Sequence, residues 1–126
     1  MATRPTPTSP EEFFDGSPAG LDAFRRVLAM VAAPELQPVT VRTGRSQVAL
    51  RRRTGFAFLW RPGQYLGRGA PVVLSVGLRE RIDSPRWKQV VQPAPGRWMH
   101  HLEVPDPADL DEEVAAWVRL AAAQAG

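Results

Sequence analysis

Cysteine is absent from the 126 residues, which excludes disulfides, thiolate metal sites and a cysteine nucleophile. Lysine is nearly absent, since Lys88 stands alone among sixteen basic residues and the rest are arginine. No apolar run approaches the ~18 residues of a membrane span. Residues 1–10, MATRPTPTSP, hold no apolar segment of a secretory leader. The expectation is a soluble, cytoplasmic protein that does not engage membranes. Its length suits one domain with one core.

Charge is present but unevenly placed. Residues 36–97 carry twelve bases against Glu80 and Asp83, whereas residues 98–126 carry Arg119 against six acids. A basic middle with an acidic end predicts two electrostatic faces. The preference for arginine over lysine also has a bland source, genomic base composition.

Three helix starts stand out. Ser9-Pro10-Glu11-Glu12 pairs an N-cap with a first-turn proline and an acid at N3, before Gly16. Ser17-Pro18 repeats the signal, and Leu21, Phe24, Val27, Leu28 and Val31 predict an amphipathic helix over 18–33. Asp106-Pro107-Ala108-Asp109 opens a third helix over 107–123, with Leu110, Val114, Trp117, Val118 and Ala121 inward. Acids in its first turn suit the helix dipole. Between Val39 and Val104 the period falls to two, giving four or five strands joined as an antiparallel meander. Residues 61–71 read as a long hairpin loop, and Arg86–Val91 as a helical turn packing Trp87, Val90 and Val91.

The expected fold is α+β, with N- and C-terminal helices on one face of the sheet. Residues 1–8 form a disordered tail and 9–123 the domain. Alternation puts Phe56, Phe58, Trp60, Val72, Leu74, Val76, Leu78 and Leu102 on the covered face. Arg51, Arg53, Arg61, Arg79 and His101 then share the open face with Ala49, Ala57, Ser75 and Gly77.

Several stretches carry a family resemblance: Phe13-Phe14-x-Gly16-x-Pro18, VTVRTGRSQVALRRRTGFAFLWRP at 39–62, RIDSPRWKQV at 81–90, GRWMHHLEV at 96–104 and DLDEEVAAWV at 109–118. In order and spacing they resemble the domain-of-unknown-function family numbered 5655, over roughly 12–121. That family is similar to the YdhG-like domains of the iron-chaperone type. The resemblance implies helices on one side of an antiparallel sheet and assigns no activity.

Candidate sites follow from the charge. Arg51, Arg53, Arg61 and Arg79 are the central anion contacts, with Arg45, Arg86 and Lys88 on the rim. Arg51-Arg52-Arg53 also suits a solvated strand end that discourages edge pairing. Stacking on nucleic acid requires exposed aromatics, and only Tyr65 and Trp87 fall in expected loops. His100 and His101 point to opposite faces, so they share no metal, and no metal or cofactor is expected. Gly63, Gly67 and Gly69, with Arg61 and Arg68, suggest a phosphate nest, yet the P-loop Lys-Ser/Thr is missing. Ser46, Ser75 and Ser84 have no base and acid partners in the sequence.

These features favour a non-enzymatic binding module. Its partner is an anionic ligand, nucleic acid or an acidic protein segment. One alternative is a small hydrolase or ligand-processing enzyme with His101 as acid/base beside Glu103 or Glu80. A third is salt-dependent self-association, the basic sheet of one copy meeting the acidic helix of another.

Overall fold

The computed structural model describes residues 5–62 and 70–126. The glycine nest at 63–69, with Arg68 and Tyr65, lies outside the described residues, as do residues 1–4 of the expected tail. Residues 5–8 are irregular, and Thr6 Oγ1 accepts a hydrogen bond from Arg45 at 3.0 Å.

Helix α1 spans Pro10–Phe13, where Ser9 Oγ accepts the Glu12 N–H at 3.2 Å. Helix α2 spans Pro18–Met30, capped by Ser17 Oγ on the Gly20 N–H. It ends short of residue 33 because Pro34 starts a separate 3₁₀ turn, Pro34–Leu36. The third helix is also shorter than its cap signals suggest. Asp106 and Asp109 bond each other's backbone around one 3₁₀ turn, Pro107–Asp109. Asp111 then caps helix α3, Glu112–Gln124, by accepting the Val114 N–H at 3.2 Å. Two capping aspartates five residues apart divide what periodicity alone joins.

Among the described residues the sheet has six antiparallel strands, not four or five. They are β1 Thr40–Thr43, β2 Val48–Arg51, β3 Gly55–Trp60, β4 Val72–Leu78, β5 Gln89–Ala94 and β6 Arg97–Val104. Their order is β1-β2-β3-β4-β6-β5, so β6 inserts between β4 and β5 and the meander is broken. The added strand is β5, which replaces the expected helical turn over Arg86–Val91. Pro93 inside β5 is tolerated because β5 is an edge strand.

Helices α2 and α3 pack on one face. That face holds Val48, Leu50, Ala57, Leu59, Val72, Leu74, Val76, Leu78, Leu102 and Val104. The register differs here from simple alternation. The β2–β3 ladder shifts between Leu50 and Arg51, leaving Phe56 as an extra residue between Gly55 and Ala57. Phe56 and Ala57 therefore both enter the core, with Phe56 1% exposed. Beyond the bulge the alternation is reversed. Leu59 faces the helices, while Phe58 and Trp60 stand on the opposite face, opposite Ser75 and Val73.

The segment between β4 and β5 is held by stacking. Trp87, 8% exposed, lies between His100 (ring centroids 4.9 Å apart) and Trp117 of α3 (4.2 Å). Its indole N–H donates to the Ile82 carbonyl at 2.9 Å. Arg86 grips the start of α3, donating to Asp111, Glu113 and the Asp109 carbonyl. Trp87 is thus a core residue, packed as expected and not free in a loop for stacking, whereas Val91 is exposed. Among the described residues no helix is long and apolar enough to cross a membrane.

Candidate functional site

One row of paired residues crosses the face opposite the helices. It runs Arg42, Ala49, Phe58, Ser75, His101, Gln89 through all six strands. Trp60, Val73 and Glu103 form the row on one side. Gly77, Met99 and Val91 lie on the other. Among the described residues no helix covers this face. A groove of about 380 Å³ opens on it, lined by Ser46, Gln47, Phe58, Trp60, Ser75, Met99 and His101.

A polar chain runs along the floor of the groove. The Trp60 indole N–H donates to Ser75 Oγ at 3.0 Å. Ser75 is only 3% exposed, so its own proton needs a protein acceptor, and His101 Nδ1 lies 2.7 Å away. The arrangement that satisfies all three groups has Trp60 donating to Ser75 and Ser75 donating to His101. Burial, and then the neighbouring His100, push the His101 ring below its ordinary pKa, so it is neutral at pH 7. With Nδ1 accepting, the ring proton sits on Nε2. The Trp60 and His101 rings are perpendicular, at 89° with centroids 6.4 Å apart.

His100, on the other face of β6, is fully buried and spoken for. Its Nε2 accepts the Ile82 N–H at 3.0 Å, and its Nδ1 lies 3.3 Å and 3.2 Å from the Val76 and Trp98 carbonyls. Burial dominates in lowering its pKa. Among the described residues no three His, Asp or Glu side chains converge as a metal site.

The arginines divide into two groups. Most of the expected anion contacts are engaged elsewhere. Arg61 donates to the Phe13 carbonyl at the end of α1 and the Asp15 carbonyl just beyond it, at 3.1 Å and 2.9 Å. Arg79 donates to the Gln124 carbonyl at the end of α3 at 2.9 Å. Both leave the face on which alternation placed them. Arg52 likewise reaches the Ala122 carbonyl, and Arg119 reaches Met30 at the end of α2. These guanidinium groups bond carbonyls at helix ends, where the dipole favours a cation. Arg86 is bound to the acids of α3, Lys88 pairs with Glu103, and Arg45 holds Thr6. Arg53 is exposed in the β2–β3 turn, its backbone N–H bonded to Ala125. The acidic start of α3 is therefore already answered within the chain.

The second group is on the groove face. Arg51 pairs opposite Gly55 there, as expected. Arg42 and Arg97 join it and were missed. Arg97 lies across Gly77, its guanidinium within 3.8 Å of where a Cβ would stand. Parity with His101 and Met99 along β6 was the available signal for Arg97, and pairing with Ala49 for Arg42. Among the described residues, no hydrogen bond or ion pair engages the guanidinium groups of Arg42, Arg51 or Arg97. The Ser75–His101 contact was also missed, because it depends on the β4–β6 register. Of the acids offered as partners for His101, Glu103 lies two residues along β6 and is paired with Lys88, and Glu80 is exposed beyond β4. Neither lines the groove.

A family model described as a domain of unknown function, DUF5655, matches residues 11–124. No curated protein and no solved structure matches the chain.

Proposed function

The chain belongs to the DUF5655 family, and we propose that within it this domain is a non-enzymatic binding module that holds an anionic partner on its open sheet face. The observation that carries the reading is the groove. Its floor is a satisfied Trp60–Ser75–His101 chain that leaves His101 Nε2–H as a donor. Arg42, Arg51 and Arg97 stand on the same face. Buried polar groups in an apolar wall fix an orientation for a ligand acceptor, and free guanidinium groups supply attraction. Kinship with YdhG-like domains belongs to the same proposal, supported by helices on one side of an antiparallel sheet.

The test is an NMR titration of labelled protein at low salt with heparin, a glutamate-rich peptide and an oligonucleotide. At least one is expected to shift Ser75, His101 and Arg97 together. Shifts from none of them would discard the reading.

A second reading is favoured by one contact, the 2.7 Å between Ser75 Oγ and His101 Nδ1. In it the domain is a small hydrolase with His101 as acid/base. Turnover of an activated ester, lost in both Ser75→Ala and His101→Gln, is its test.

A further inference from the structure

We propose that the partner held on this face is single-stranded nucleic acid. The inference rests on the binding-module reading above and names its ligand class.

The bulge at Phe56 decides the matter. By turning Phe58 and Trp60 out of the core, it puts two half-buried rings on an open antiparallel sheet. They are two residues apart on one strand, about 7 Å at ~3.4 Å per residue, room for one base on each. Every base has a π-face, so such rings hold a strand with little regard to sequence. His101 Nε2–H, Ser46 and Gln47 offer hydrogen bonds to base edges beside them.

The arginines discriminate among anions. Arg42 and Arg97 are four strands apart in the sheet order, and Arg97 lies four residues beyond the row that Arg42 shares with His101. At ~4.8 Å per strand and ~3.4 Å per residue their backbones stand roughly 24 Å apart. Two arginine side chains do not converge over that distance on one phosphate, which argues against a phosphorylated small molecule. Successive phosphates of one strand match the spread. An acidic peptide would pair with the guanidinium groups but leave the rings without a purpose. A duplex stacks its bases inside and is read by an element that enters a groove, which a recessed sheet face does not supply.

The experiment is fluorescence anisotropy with labelled DNA and RNA single strands, the matching duplexes and a glutamate-rich peptide. Single strands are expected to bind at least about tenfold more tightly than duplex. Affinity falls with salt at a slope near −2 if three phosphates are contacted at about −0.7 each. Phe58→Leu and Trp60→Leu each weaken single-strand binding by roughly 5- to 100-fold with the salt slope kept. Arg51→Gln and Arg97→Gln each flatten the slope by about 0.7. Phe58→Tyr keeps a ring and retains binding, which separates loss of stacking from loss of fold. Equal binding of duplex, or unchanged affinity in the leucine variants, overturns the proposal. If the peptide shifts Ser75 and His101 while single strands do not, this inference fails and the binding-module reading stands. If no probe binds, both fail.

Discussion

Ser75→Ala removes the hydroxyl at the centre of the groove's polar chain, and the structure says what each neighbour loses. The Trp60 N–H loses its acceptor at 3.0 Å, and His101 Nδ1 loses its donor at 2.7 Å. A net hydrogen bond contributes about 0.5–1.5 kcal/mol, and a polar group left buried without a partner costs more. Two such bonds set the expected destabilisation at about 1–3 kcal/mol, at the lower end because Trp60 and His101 are only half-buried and water reaches them. With a urea slope of ~1–3 kcal/mol/M, the midpoint drops by roughly 0.3–1 M. The second readout is the ring itself. Nitrogen chemical shifts of the wild-type imidazole above pH 7 are expected to place the proton on Nε2. The alanine variant, with no hydroxyl aimed at Nδ1, mixes the two neutral tautomers, and the Trp60 indole resonance moves. A wild-type proton on Nδ1, or a variant spectrum identical to wild type, would refute the hydrogen-bond direction assigned here and with it the donor offered to a ligand.

Further outcomes are expected. Trp87→Ala removes the ring between His100 and Trp117 and destabilises by about 3–5 kcal/mol in chemical denaturation, while Trp87→Phe loses far less; equal losses would mean that the stack is unimportant. Burial lowers the pKa of both His100 and His101, so the unfolded chain takes up protons first, near its ordinary value of about 6.5. Their contribution is therefore complete above about pH 6.5 and is lost below it, at up to ~1.4 kcal/mol per pH unit for each ring; a urea midpoint that stays level or rises from pH 7 to pH 5 would contradict this. Gly20→Ala, which favours an ordinary helix, is expected to lower the melting temperature, because the new Cβ would lie 2.5 Å from Phe14 Cδ1; a higher melting temperature would show that the ring yields freely.

The parts of the fold legible in the sequence are those fixed over a few residues. Ser9, Ser17 and Asp106 cap their turns as their spacing suggests, and the inward stripe from Leu110, just before α3, to Ala121 is buried. What was illegible depends on pairing across the chain. The run Phe56-Ala57-Phe58-Leu59-Trp60 is apolar throughout, so its own pattern fits either face, and the bulge against β2 chooses. β5 contains Pro93 and no clean alternation, and becomes a strand because β6 offers it an edge. Ser75 and His101 are 26 residues apart, and Arg61 is 48 residues from the Phe13 carbonyl it binds. No local spacing encodes those contacts. Arginine density pointed to an anion surface, but the count did not distinguish guanidinium groups that hold helix ends from those left on the groove face.

During synthesis β5 emerges before the strand that receives it. Among the described elements it pairs with β6, which leaves the ribosome later and must settle against β4 on its other side. Until then residues 89–94 are a waiting segment with open main-chain groups, the kind that attracts another chain. Pro93 has no N–H to offer such a neighbour, and Lys88 places a charge just before the segment. The nascent chain thus carries its own protection against mispairing through the interval in which the last strand has not yet arrived.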